Sequence, residues 1–265
     1  MKTLSIGDIH GRDTWKDILF GSSFDYTLWR EAYISGAPFN WNPDLPFLAY
    51  DEIIFIGDYV DSFDIPSPII LKNLEEIIDL KKILGERIVL LLGNHDIHYF
   101  VKDNQCSGYR SEMKYDLEDI FRKNEDLFKM AHQDGRYLWT HAGVRSLWLR
   151  ELRECLYDKR MRFRKVLMAK KPVTIAEEIN MAWSFRLYPI FYVDPASGGS
   201  DPYGGPLWVR PSGLDRDPIP GMTQIVGHTA VAGIKSTLID TTEHWYIDVL
   251  HHSNDALTLN TDGIA

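Results

Sequence analysis

Five short clusters in this 265-residue chain hold the side chains best suited to chemistry: Asp8 with His10, Asp58 with Asp61, Asn94 with His95, His141, and His228. Carboxylate, imidazole and amide oxygen without thiolate suit borderline divalent cations such as manganese, iron, zinc, nickel or cobalt better than a calcium cage. One Asp or His in a loop is more often solvated or capping than a ligand. Here each cluster directly follows a short apolar run, at residues 4–6, 53–56, 88–92, 137–140 and 224–226. A buried strand that opens into a functional loop has this pattern. In parallel α/β sheets the carboxyl ends of the strands lie side by side where ligands bind, so five such clusters can converge on one site. Asp8 and His10 are two residues apart on an extended run, which would aim both to one side.

The elements needed to position these groups can be read in outline. Ser67-Pro68 reads as a cap followed by a first-turn proline, and Ile70, Leu71, Leu74, Ile77, Ile78 and Leu84 follow at helical spacing up to Gly85. Weaker helical patterns occupy 13–20, 112–130, 146–156 and 175–185. Apolar runs at 235–239, 245–249 and 256–259 read as strands closing a second sheet by hairpin or meander. Strands alternating with helices early and running together late predict an α/β sandwich in a single domain over 1–265. Two segments look inserted. Residues 21–50 are rich in aromatics (Tyr26, Trp29, Tyr33, Phe39, Trp41), which would either cap the site or pack locally; residues 193–221 are crowded with Gly, Pro, Asp and Ser, as in a long surface loop.

Composition narrows the function classes. There are 29 Lys and Arg against 38 Asp and Glu, a net charge of −9, and 45% of residues are hydrophobic. That balance fits a globular chain and disfavours a wrapped nucleic-acid duplex or an anionic membrane surface as partner. Cys106 and Cys155 have no knuckle spacing, so a disulfide framework and a thiolate zinc site are both poor readings. With neither a signal-like start nor a run near 20 apolar residues, the expected location is the cytoplasm.

The blocks Gly7-Asp8-Ile9-His10-Gly11, Gly57-Asp58-Tyr59-Val60-Asp61, Gly93-Asn94-His95-Asp96, His141-Ala142-Gly143 and Gly227-His228-Thr229 resemble, in order, those of the calcineurin-like metallophosphoesterases. Within that superfamily the chain is most similar to the branch holding bacterial-type phosphoprotein phosphatases and diadenosine tetraphosphatases. The resemblance implies a four-layer α/β/β/α sandwich around two divalent metal ions, with manganese the first candidate. Asp8 and His10 would hold the first metal, Asp58 would bridge, and Asn94, His141 and His228 would complete the second. His95 would protonate the leaving group, oriented by Asp61.

The chain also departs from the family pattern. Ser62 stands where phosphoprotein phosphatases carry a phosphate-gripping arginine, so Arg210 is expected to take that role with Asn94; Arg12, Arg145 and Arg186 are alternatives. Ala230 stands where many relatives place a second histidine, and Asp96, in place of a glutamate, reads as a supporting or capping residue. His98, His132, His244, His251 and His252 belong to no block and read as incidental. The implied activity is hydrolysis of a phosphomonoester on a small molecule or a protein. Alternatives are a dinucleoside polyphosphate hydrolase and a metal-binding interaction module without catalysis.

Overall fold

The computed structural model describes residues 1–37, 44–101, 106–162, 172–193 and 204–261. Phe39 and Trp41 of the aromatic segment, and 194–203 of the long loop, lie outside the described residues. The strands are β1 (Lys2–Ile6), β2 (Glu52–Phe55), β3 (Ile88–Leu91), β4 (Phe128–Lys129), β5 (Ala131–Asp134), β6 (Tyr137–Thr140), β7 (Thr223–Val226), β8 (Lys235–Ile239), β9 (Thr242–Tyr246) and β10 (Leu257–Asn260). The helices are α1 (Thr14–Phe20), α2 (Tyr26–Ser35), α3 (Ser67–Leu84), α4 (Asn94–Ile97), α5 (Lys114–Lys123), α6 (Ser146–Arg162), α7 (Ile175–Ser184), α8 (Tyr188–Phe191) and α9 (Pro211–Arg216).

Two five-stranded sheets result, in the orders β10-β1-β2-β3-β4 and β5-β6-β7-β9-β8. Strands β1 to β4 run parallel, as do β6, β7 and β9, while β10, β5 and β8 are antiparallel edges. Side chains on a strand alternate between faces, and this alternation builds the layers. Ile54, Ile56, Val89 and Leu91 from the first sheet join Trp139 and Ile225 from the second in one buried cluster between the sheets. Their neighbours Ile53, Phe55, Ile88 and Leu90 belong instead to the large core shared with Ile70, Leu74, Ile77 and Ile78 of α3. Helices flank both sheets, giving the α/β/β/α sandwich expected from the sequence. Trp139 Nε1 donates to Ser5 Oγ at 2.9 Å, linking β6 to β1 across the interior.

Four local expectations are corrected. Residues 256–259 do not close the second sheet, because β10 pairs antiparallel with β1 in the first. The helix expected over 112–130 stops at Lys123, and Phe128–Lys129 turns back into a parallel partner of β3. Ser67 does not cap α3: Pro66 holds the cap position, and Ser67 Oγ bonds Arg110 (2.9 Å) and Glu112 (3.1 Å) instead. Asp8 and His10 do not share a strand face, since β1 ends at Ile6 and the chain turns at His10 with φ 44°. In the aromatic segment, Tyr26 and Trp29 are buried against Phe20 and Phe24, and Tyr26 O–H donates to the Glu76 carbonyl of α3.

Candidate metal centre

The loops after the strands are fastened to one another by hydrogen bonds from backbone N–H groups. Ile9 and His10 N–H both donate to the Asp58 carbonyl (3.1 and 2.7 Å), joining the loops after β1 and β2. Asp96 joins the loops after β2 and β3: its carboxylate accepts from the N–H groups of Asp58, Tyr59 and Gly93, each at 2.8 Å. Gly227 N–H donates to the His141 carbonyl at 2.8 Å, joining the loops after β6 and β7. The sheets meet where His228 N–H donates to Asp8, 2.9 Å from Oδ2. Two glycines are fixed by close approach, because a Cβ at Gly93 or Gly227 would lie 2.0 Å from an oxygen of Asp58 or Asp8.

These loops bring the expected residues together. His10 donates from Nδ1 to the Asp61 carbonyl (2.7 Å), and His141 donates from Nδ1 to the Ile56 carbonyl (3.1 Å). A neutral ring that donates from Nδ1 presents a lone pair at Nε2, the arrangement usual for a metal-ligating histidine. His141 Nε2 then faces Asn94 Oδ1 at 2.9 Å and Asp58 Oδ2 at 3.3 Å, and His10 Nε2 faces Asp58 Oδ2 at 3.7 Å. His228 Nδ1 lies 2.8 Å from Asn94 Oδ1, while its buried Nε2 has no hydrogen-bond partner among the described residues. Lone pairs and anionic oxygens converging in this way repel one another unless a cation sits among them, so the donor set fits divalent metal. Among the described residues, two groups of ligand atoms close enough for one ion each share Asp58: His10, Asp58 and His95, and Asp8, Asp58 and His141.

Electrostatics agree with an acidic, buried cradle. Burial, then repulsion from Asp248 and Asp58, holds the Asp8 carboxyl well above the usual carboxylate range. Burial also pushes on Asp58, but His141, His95 and His10 outweigh it and hold that carboxyl well below its ordinary value. His228 is pushed well down by burial, then by His141 and Arg210. At His95, burial opposes charging, but Asp58 and Asp61 win and raise the imidazole.

His95 Nδ1 lies 3.2 Å from Asp61 Oδ2, so the expected pair is formed. Arg210 donates to the His228 carbonyl and Thr229 Oγ1, both at 3.2 Å, and its partial burial pushes the guanidinium below its usual value, with Asp58 and Asp8 opposing. Among the alternatives, Arg186 pairs with Glu125 and stacks 3.4 Å over Trp183, Arg145 lies 3.8 Å from Asp217, and Arg12 bonds Asp64. Ser62 is buried and its hydroxyl donates to Asp64 at 2.6 Å.

Several residues escaped the sequence reading. His98, expected to be incidental, is fully buried against Asp61, and Tyr99 joins it there. Asp248 is buried and its charge repels that of Asp8; it closely follows β9, so the strand-then-polar pattern was available to find it. Cys106 Sγ accepts from Asn94 Nδ2 (3.3 Å), which turns Asn94 Oδ1 toward the histidines. His251 is exposed, yet its ring centre lies 5.6 Å from that of His10. It lines a cavity of about 150 Å³ with His10, Asp61, Ser62 and His95.

The calcineurin-like phosphoesterase family matches residues 1–205, and the chain belongs to that family, whose members use divalent metal ions. Similar solved structures include the cold-active protein-tyrosine phosphatase of a psychrophilic Shewanella species, 17% identical, covering 98% of this chain and 76% of that one with a TM-score of 0.50. A protein serine/threonine phosphatase from Saccharomyces cerevisiae is 15% identical over 93% of this chain and 67% of that one, with a TM-score of 0.45. At 17% identity the likeness to the Shewanella enzyme speaks to the fold alone. No curated protein matches the chain. The family match stops short of Arg210 and His228, which the structure itself brings to the site.

Proposed function

We propose that the chain hydrolyses phosphomonoesters at a dinuclear centre bridged by Asp58, with Asp8, His10, Asn94, His141 and His228 as the other ligands. The observation that supports this most directly is the convergence of His10 Nε2, His141 Nε2, Asn94 Oδ1 and the Asp58 carboxylate, with the His95–Asp61 pair at its edge. Divalent cations held there, manganese first among them, would draw charge from the phosphoryl oxygens and lower the pKa of water, so that it gives a proton to solvent near neutral pH and hydroxide is available to attack phosphorus. The protein's own groups do the rest. Arg210 and Asn94 hold the phosphoryl oxygens. As the new P–O bond forms and the ester P–O bond breaks, His95 passes its Nε2 proton to the departing oxygen while Asp61 holds Nδ1–H. The substrate is a small phosphorylated molecule or a phosphoprotein.

Assays with manganese and 4-nitrophenyl phosphate, a phosphopeptide or diadenosine tetraphosphate test this reading. Turnover of the first two, abolished in Asp58→Asn, is expected. Exclusive turnover of the tetraphosphate would replace phosphomonoesterase by dinucleoside polyphosphate hydrolase, and equal inactivity of wild type and Asp58→Asn on all three would leave a binding module.

A further inference from the structure

We infer that His98, helped by Tyr99, is a positioning residue that sets Asp61 and through it the leaving-group proton on His95; the inference rests on the proposed reaction. Asp61 has no solvent contact at its side chain and takes three donors. Tyr99 O–H donates to Oδ1 at 2.7 Å, while Oδ2 accepts from His98 Nε2 at 2.7 Å and from His95 Nδ1 at 3.2 Å. The two short bonds come from residues other than His95, so they fix the rotation of the carboxylate and leave His95 to align on an oxygen already held. Asp61 also orients His10 through its backbone carbonyl (2.7 Å), so one residue in a left-handed conformation (φ 58°) aims two of the site's rings.

Packing alone does not account for a histidine at 98. Its ring is buried among Tyr99 and Tyr109, with centroids 4.2 and 5.3 Å away, and its buried Nδ1 has no hydrogen-bond partner among the described residues. An apolar side chain would fill that space without stranding a polar atom, and a stranded polar atom is costly. What histidine adds is a single Nε2–H donor aimed at Asp61. Helical spacing supplies the geometry: His95, His98 and Tyr99 are three and four residues apart around the turn begun by α4, so they share a face.

Leaving-group chemistry separates this role from a structural one. A nitrophenolate departs with little help from a proton, whereas an alkoxide needs it. In the full-length, manganese-loaded protein, His98→Leu is expected to lower kcat roughly 10–100-fold on a phosphoserine peptide. Turnover of 4-nitrophenyl phosphate and bound manganese should stay near wild type. His98→Gln, whose amide N–H can replace Nε2–H, should recover most of the loss. Tyr99→Phe should show the same substrate dependence to a smaller degree, and tests the idea if His98→Leu does not fold. Equal losses on both substrates, or no loss on either, would overturn the inference while leaving the phosphatase reading intact. A wild type inactive on both substrates would overturn that reading and this inference with it.

Discussion

His10, Asp58, Asp61 and His228 all adopt positive φ, between 44° and 63°. Asp and His enter this region more readily than most residues, yet each instance costs on the order of 1–3 kcal/mol and persists only where surrounding structure enforces it. Here the enforcement is visible in the carbonyl and amide bonds that fasten the loops. His95 stands instead on α4, where its N–H donates to Asp58 Oδ1 at 2.9 Å, and the role proposed for it rests on Asp61 and on its nearness to His10 and Asp58. Asparagine at 95 can still donate toward Asp61 but has no proton to give up at neutral pH. His95→Asn is therefore expected to keep its metal and lose roughly 10²–10⁴ in kcat, the usual range for a positioned acid. Metal analysis beside steady-state rates checks this. Loss of metal would instead make His95 a ligand in the His10–Asp58 group.

At the scale of elements, α9 must be held still because Arg210 immediately precedes it. Asp215 on α9 does this, accepting from Thr237 Oγ1 (2.9 Å) on β8 and from His244 Nδ1 (2.8 Å) and Tyr246 O–H (2.6 Å) on β9. Burial alone would raise this carboxyl, but the three donors outweigh it and hold it below its ordinary value. A depressed native value means that the stabilisation is complete above the unfolded-state value near pH 3.9 and drains away as pH falls through the native one. Asp215→Asn should cost about 1–2 kcal/mol at pH 7, the lower part of the range for bonds to a charged group because the carboxylate is partly exposed. The gap to wild type should narrow by pH 3.5 in urea titrations. A gap independent of pH would show that the carboxylate's charge is not what α9 depends on.

The elements legible in the sequence were those whose signal is local. Buried runs ending in Gly and a polar cluster marked β1, β2, β3 and β7, a run ending at His141 marked β6, and the apolar spacing of α3 ran to its glycine stop. Pairing across long separations was not legible. Nothing in Leu257-Thr258-Leu259 announces that its partner is β1 and not a neighbour in the second sheet, and His98 meets Asp61 only because two loops 37 residues apart are brought together. Asp8 and His10 misled for a related reason: the turn at His10 replaces strand alternation with a left-handed step.

For the whole molecule, the decisive fact is that the site is divided between the sheets. Asp8, His10, Asp58, Asn94 and His95 stand on loops of the first, and His141 and His228 on loops of the second, with the Ile54–Trp139 layer between the sheets. The net charge of −9 has a local counterpart here, since Asp8, Asp58 and Asp248 repel one another in the interior. A cation bridging the loops should therefore stabilise the folded chain as a unit, because the unfolded chain does not assemble ligands from both sheets. At a hundred times its dissociation constant, bound manganese adds about 2.7 kcal/mol by mass action, which for a chain near this size is roughly 5–10 °C in Tm. Asp58→Asn should lose most of that increment, since Asp58 belongs to both candidate ion groups. Ile54→Ala weakens the inter-sheet layer by about 2–5 kcal/mol without touching a ligand, so it should lower Tm yet keep the increment. Calorimetry with and without manganese on the three proteins checks this. An equal increment in Asp58→Asn would place the stabilising ions elsewhere on the protein.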